Sequence, residues 1–239
     1  MHTVGLQAAN NMFLNQNNRI KWKLLGLVAM IVAALCIAGI LWFDYPLYYF
    51  LRRFDGGWAK IFDTLFSFKA WLIAVAIVYA ITIAIKSREQ RTESIDKKKF
   101  KLVPFIKENI VKFKYANNYA LCSMLYALLL SGMLGWVLKV AIGRMRPVFL
   151  EALSKTGFYP FTMDWAFNSM PSGHTVASFA GLVMIGLLYP RWKWATWTLA
   201  IIIGISRVAI GAHFPSDVIL GAFIGMACAD LIQSAKYKI

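Results

Sequence analysis

Six apolar runs limit the folds open to this chain more than any other feature. A helix that crosses a bilayer needs about twenty mostly apolar residues, and such runs cover residues 24–43, 70–85, 119–138, 173–189, 195–212 and 218–235. The second is short and draws on its aromatic flanks. In lipid every backbone N–H and C=O must be satisfied within the protein, which leaves helices or a closed barrel. Runs this long and continuous read as helices, not as alternating strands. The expected fold is all-α: one integral-membrane bundle of six transmembrane helices over residues 1–239. The composition agrees, since only 15% of residues are charged against about a quarter in a soluble domain. The first run has no small-residue cleavage pattern behind it and is expected to stay as an anchor.

The charge that remains is lopsided, with 26 Lys and Arg against 11 Asp and Glu. In a soluble protein that balance points to nucleic acid. Here the basic residues lie between the apolar runs, so topology explains them and no nucleic-acid partner is expected. They gather before the first run (Arg19, Lys21, Lys23), in the segment 86–118, at Arg191 and Lys193, and at Lys236 and Lys238. With six crossings all four groups fall on one side, the expected cytoplasmic side, which also holds both termini. The opposite, extracytoplasmic face then receives three connections. The first, 44–69, is rich in Tyr, Phe and Trp and reads as an amphipathic segment lying in the headgroup layer. Cys36, Cys122 and Cys228 sit singly in apolar runs and read as small core residues.

Three polar clusters occupy that extracytoplasmic face, within 139–217. Lys139 is followed by Arg146 and Pro147; Pro171-Ser172-Gly173-His174 opens the fourth helix; Ser206-Arg207, His213 and Asp217 link the fifth and sixth. Lys139, Arg146 and Arg207 supply positive charge suited to phosphate oxygens. Ser172 and Gly173 stand at a helix N-terminus, where free N–H groups favour an anion. Asp217 is close enough in sequence to fix the tautomer of His213, leaving its other nitrogen free to attack. His174 is then placed to protonate the leaving oxygen and later to activate water. The expected metal site is none, because the acids on this face (Asp44, Asp55, Asp63, Glu151, Asp164) have no ligand spacing. No cofactor is called for. Arg144 is a further candidate for touching a substrate headgroup, whereas Asp230 is expected to pair or face water near the cytoplasmic end.

The pattern K-x6-RP, PSGH and SR-x5-H-x3-D resembles the signature of the type 2 phosphatidic acid phosphatase superfamily, with every position filled: Lys139, Arg146, Pro147; Pro171, Ser172, Gly173, His174; Ser206, Arg207, His213, Asp217. The resemblance implies a metal-independent phosphoric monoester hydrolase with His213 as nucleophile, His174 as acid and Asp217 as orienting residue. It implies that Lys139, Arg146, Ser172, Gly173 and Arg207 hold the phosphate. In size and layout the chain looks most like bacterial lipid A 1-phosphatases, so the expected reaction removes the 1-phosphate of lipid A through a phosphohistidine. Phosphatidylglycerophosphate and undecaprenyl diphosphate phosphatases share these motifs, and a lipid phosphotransferase would use the same pocket. The expected setting is a bacterial inner membrane with the active site periplasmic. The expected partners are a phosphorylated membrane lipid and the bilayer, with no obligate protein partner. A transporter without chemistry fits Arg207 but leaves the histidines unexplained, and the related vanadate-dependent haloperoxidases are soluble.

Overall fold

The computed structural model describes residues 11–96 and 104–236. Among them the chain is helical and forms no named strand, in line with the all-α expectation. The helices are α1 Trp22–Ala38, α2 Asp44–Arg52, α3 Gly57–Leu65, α4 Phe68–Asp96, α5 Pro104–Ile142, α6 Pro147–Leu153, α7 Gly173–Leu188, α8 Lys193–Ala209 and α9 Pro215–Lys236. A π-helical turn, Gly39–Phe43, joins α1 to α2 without a break.

Three helical stretches are long and apolar enough to cross a membrane: Trp22–Arg52, Tyr119–Ile142 and Pro215–Ala235. A fourth is reached if Gly57–Leu65 and Phe68–Ala84, bent by 54°, count as one span. The apolar helix Gly173–Leu188 is only 16 residues long, and α8 only 17. α7 is the hub. It packs on α9, α8 and α5 and buries most of its length, from Thr175 to Leu187. Its small residues let the neighbours close in: a Cβ at Gly181 would stand 2.8 Å from the Trp71 ring, and Gly186 lies under Thr196. A helix walled by protein on every side needs neither the length nor the lipid-facing surface of an outer span.

Two sequence expectations change. The first apolar run does not stop at residue 43, because the π turn carries it on as α2, so the segment 44–69 begins as a continuation of that helix and not as a separate one. Within the basic segment 86–118, α4 runs on to Asp96 and α5 starts at Pro104, so much of it is helical. Lys97, Lys98, Lys99, Lys101, Lys238 and the His2 tail lie outside the described residues.

The end of the bundle away from the motifs is closed by the N-terminal segment. Phe13 and Leu14 are fully buried, and the Phe13 backbone N–H donates to Asp230 at 3.0 Å. The Asn11 side-chain amide donates to the same carboxylate. Asp230 therefore pairs, as expected, and the partner is the start of the chain.

Candidate active site

Lys139 lies in the last turn of α5, and Gly143, just past its end, is left-handed, with φ +60°. A Cβ there would lie 1.9 Å from the Tyr159 carbonyl oxygen, so only glycine fits. The turn lets Tyr159 N–H bond the Gly143 carbonyl at 2.7 Å and sends the chain back towards Arg146. Lys139 Nζ donates to the Asn168 carbonyl at 2.6 Å. Arg146 reaches the same carbonyl at 3.4 Å, donates to Trp165 O at 3.1 Å, and stacks over the Trp165 ring at 4.6 Å. One carbonyl thus gathers two cations. Burial, with Arg207 next, pushes the Arg146 guanidinium down to about 10, which leaves it charged at neutral pH.

The first turn of α7 is locked to α9 by Ser172 N–H, which donates to the Asp217 carbonyl at 3.0 Å. The Ser172 hydroxyl is fully buried and accepts from Thr175 at 2.9 Å. Gly173 faces Lys139, with room at 3.7 Å from its Cε. His174 beside it is only partly buried. Its Nε2 lies 3.0 Å from the Asp63 carbonyl oxygen and 3.1 Å from Asp63 Oδ1. Arg207 Nη1 donates to that same Oδ1. Arg207 Nε and His213 Nδ1 are buried and find no hydrogen-bond partner among the described residues.

His213 is almost wholly buried, and its Nδ1 stands 3.7 Å from Asp217 Oδ2, longer than a formed hydrogen bond. Burial holds the imidazole well below its usual range, against the pull of Asp217 and with help from Lys139 and Arg146. The same Lys139 acts on His174, together with Arg207 and Asp63. Lys139 and Arg146 thus stand near His213, and Arg207 and Asp63 beside His174, at the end of the bundle where α5, α7, α8 and α9 begin or end.

Asp217 is held more widely than spacing alone predicts. Ser169 Oγ donates to it at 2.5 Å, Phe214 N–H at 2.9 Å and Arg144 Nη1 at 2.7 Å. Arg144 is thus not a headgroup contact. It is buried, bridges Asp217 to Asp44 at 2.7 Å on each side, donates to Ser216, and lies over the Phe214 ring at 4.2 Å. Burial works against its charge, but Asp217 and Asp44 outweigh it and push the guanidinium above its ordinary value. Sequence reasoning missed Asp44, Asp63, Ser169 and Ser216. The signal available for Asp44 was an acid at the end of an apolar run, a position that asks for a partner.

A groove of about 430 Å³ leads away from this cluster. Lys139 and Gly173 stand at one end, and Leu129, Met133, Trp136 and Val176 line its length. Among the described residues no three of His, Cys, Asp and Glu converge on a metal position.

The model of the PAP2 superfamily matches residues 120–238, which hold every motif residue named above. The chain is 41% identical over 102 residues to a lipid A 1-phosphatase of Rhizobium johnstonii, covering 43% of this chain and 42% of that one. It is 44% identical over 95 residues to a lipid A 1-phosphatase of Rhizobium etli, covering 40% and 41%. The aligned part thus spans about two-fifths of each of these relatives. In fold it is similar to the PAP2 type phosphatidylglycerolphosphate phosphatase of Bacillus subtilis, with TM-score 0.55 at 19% identity, over 90% of this chain and 95% of that one. Motifs, helical architecture and family match agree: the chain belongs to the PAP2 superfamily.

Proposed function

We propose that this protein is a lipid phosphatase of a bacterial inner membrane that works through a phosphohistidine on His213 and removes the 1-phosphate of lipid A. The observation that supports the reading is the pairing of contacts at one end of the bundle: Lys139 and Arg146 on the Asn168 carbonyl, His174 and Arg207 on Asp63, and Asp217 facing buried His213. His213 Nε2 attacks phosphorus while Asp217 faces Nδ1 and steadies the charge that develops there. His174 protonates the departing oxygen, then takes a proton from the water that releases phosphate. Lys139, Arg146, Arg207 with its unpartnered Nε, and the N–H groups of Gly173 and His174 hold the phosphoryl oxygens. The buried Ser172 hydroxyl contributes to this site by fixing the first turn of α7. No step in this scheme draws on a metal.

The apolar groove that opens at Lys139 and Gly173 favours a lipid over a soluble phosphate ester, because an acyl chain fills it while the phosphate stays at the cluster. The shared name of the two rhizobial relatives favours lipid A. In this reading six helices cross the bilayer, α7 and α8 included, both termini are cytoplasmic and the motif end is periplasmic.

Purified protein offered lipid A, phosphatidylglycerophosphate, undecaprenyl diphosphate and phosphatidate is expected to remove one phosphate mass from lipid A at the 1-position. Turnover confined to soluble sugar phosphates defeats the lipid reading. The variant His213→Ala is expected to lose about 10⁴-fold or more in kcat, and full activity in it defeats the nucleophile. Label from the phosphate that appears in a second lipid instead of water reassigns the enzyme as a phosphotransferase.

A further inference from the structure

Asp63 is a residue that neither the motifs nor the family match reaches, since the match begins at residue 120. It arrives on α3, which packs against α8. Its side chain is 43% exposed, at the rim of the cluster. Both of its oxygen-bearing groups converge on one nitrogen: the carbonyl lies 3.0 Å and the carboxylate 3.1 Å from His174 Nε2. Both are acceptors, so a proton has to sit on Nε2 for either contact to be favourable.

That proton is the one His174 delivers in the proposed reaction. An imidazolium, with an ordinary pKa of about 6.5, is a competent acid near neutral pH, and a neutral imidazole N–H is not. The charged groups facing His174 are Arg207 on α8, Lys139 on α5 and Asp63 on α3. Two of these are cations and oppose a third positive charge. Asp63 is the carboxylate among them, and through Oδ1 it also engages Arg207, which lowers the positive field at the imidazole.

We propose that Asp63 is a positioning residue for the acid step: its carboxylate and its own carbonyl keep a proton on His174 Nε2 and aim it at the ester oxygen that departs. The inference rests on His174 being the general acid. When His213 bonds phosphorus, the bond from phosphorus to the ester oxygen breaks. That oxygen keeps the electron pair and takes the Nε2 proton, leaving His174 neutral. The incoming ester oxygen replaces Oδ1 at Nε2, while Asp63 stays on Arg207 as a counter-charge.

The test uses the full chain in detergent micelles with two probes: dioctanoyl phosphatidate, whose alcohol leaves only with a proton, and p-nitrophenyl phosphate, whose phenolate leaves without one. Asp63→Asn is expected to lower kcat on phosphatidate by roughly tenfold more than on p-nitrophenyl phosphate. The alkaline limb of kcat on phosphatidate is expected to move to lower pH by about one unit, because removing the anion lets His174 lose its proton earlier. Asp63→Glu is expected to recover most of the activity. Equal losses on both probes with an unmoved pH limb overturn the proposal and leave Asp63 a packing residue. A gain in kcat/KM overturns it in another way, making the carboxylate a competitor of the substrate phosphate. Should the unaltered protein release phosphate from neither probe nor from any lipid of the panel above, the phosphatase reading itself falls and takes this inference with it.

Discussion

Arg144 carries more of the site than its place in the sequence announces. It is a single guanidinium shared by two buried carboxylates, Asp44 and Asp217. Its planar fork serves both at once, which a lysine ammonium does not reproduce. Arg144→Ala leaves two buried negative charges without their partner, and breaking a buried pair in this way costs about 3–5 kcal/mol. Thermal unfolding in detergent is expected to show that loss, and a Tm unchanged from the parent contradicts it. His213 makes a second prediction. Since burial holds its imidazole well below the usual range, the proposed nucleophile is expected to stay proton-free as pH falls through about 6.5 and to be lost only at more acidic values. The acidic limb of kcat/KM is therefore expected below about 6.5. A limb above that value removes His213 as the group responsible. Lys139, Arg146, His174, Arg207, His213 and Asp217 are legible in the sequence because they fall in motifs of fixed local spacing. Asp44 and Asp63 are not, since they reach their partners across 100 and 144 residues. In an aromatic amphipathic segment such acids look like an ordinary solvated face.

The same contrast holds among the elements. The runs at 24–43, 119–138 and 218–235 are readable because each falls in a helix long and apolar enough to cross a membrane. α7 and α8 are shorter, at 16 and 17 residues, and α7 is buried over most of its length. The π turn at Gly39–Phe43 leaves no mark in hydropathy, yet it sets the rotation that brings Asp44 to Arg144 and to the Ser216 N–H at 2.9 Å. A Cβ at Gly39 would stand 2.9 Å from Ser216 Cβ, so α1 and α9 meet closely just where the helix changes pitch. Gly143 turns the chain between Lys139 and Arg146. Gly143→Ala forces a left-handed residue with a side chain against the Tyr159 carbonyl, and strain of that kind costs about 1–3 kcal/mol before the clash is added. Both a lowered Tm and a raised KM for phosphatidate are expected, because Lys139 and Arg146 flank the turn. A variant with unaltered KM separates the loop from phosphate binding.

Across the whole molecule, the motif helices meet at one end and an apolar groove departs from that end along α5 and α7. Gly135 lines the groove, and a side chain added there would start 3.6 Å from Val176. Gly135→Leu is therefore expected to raise KM for a long-chain phosphatidate several-fold more than for the dihexanoyl form, since each buried methylene contributes about 0.8 kcal/mol. Equal changes for both chain lengths take the groove out of substrate binding. The proposed topology is checked by cysteine labelling from either side of the membrane, with single cysteines placed at Ser154 and Arg191. Labelling of both from the same side excludes the six-crossing arrangement.

The opposite end holds the contact between Asn11, Phe13 and Asp230. It joins the segment ahead of α1 to α9. A ribosome exposes residues 11–14 long before it makes residue 230, so this joint closes only after synthesis has passed α9. A nascent chain halted before α9 keeps Phe13 and Leu14 without the wall they are shaped to meet.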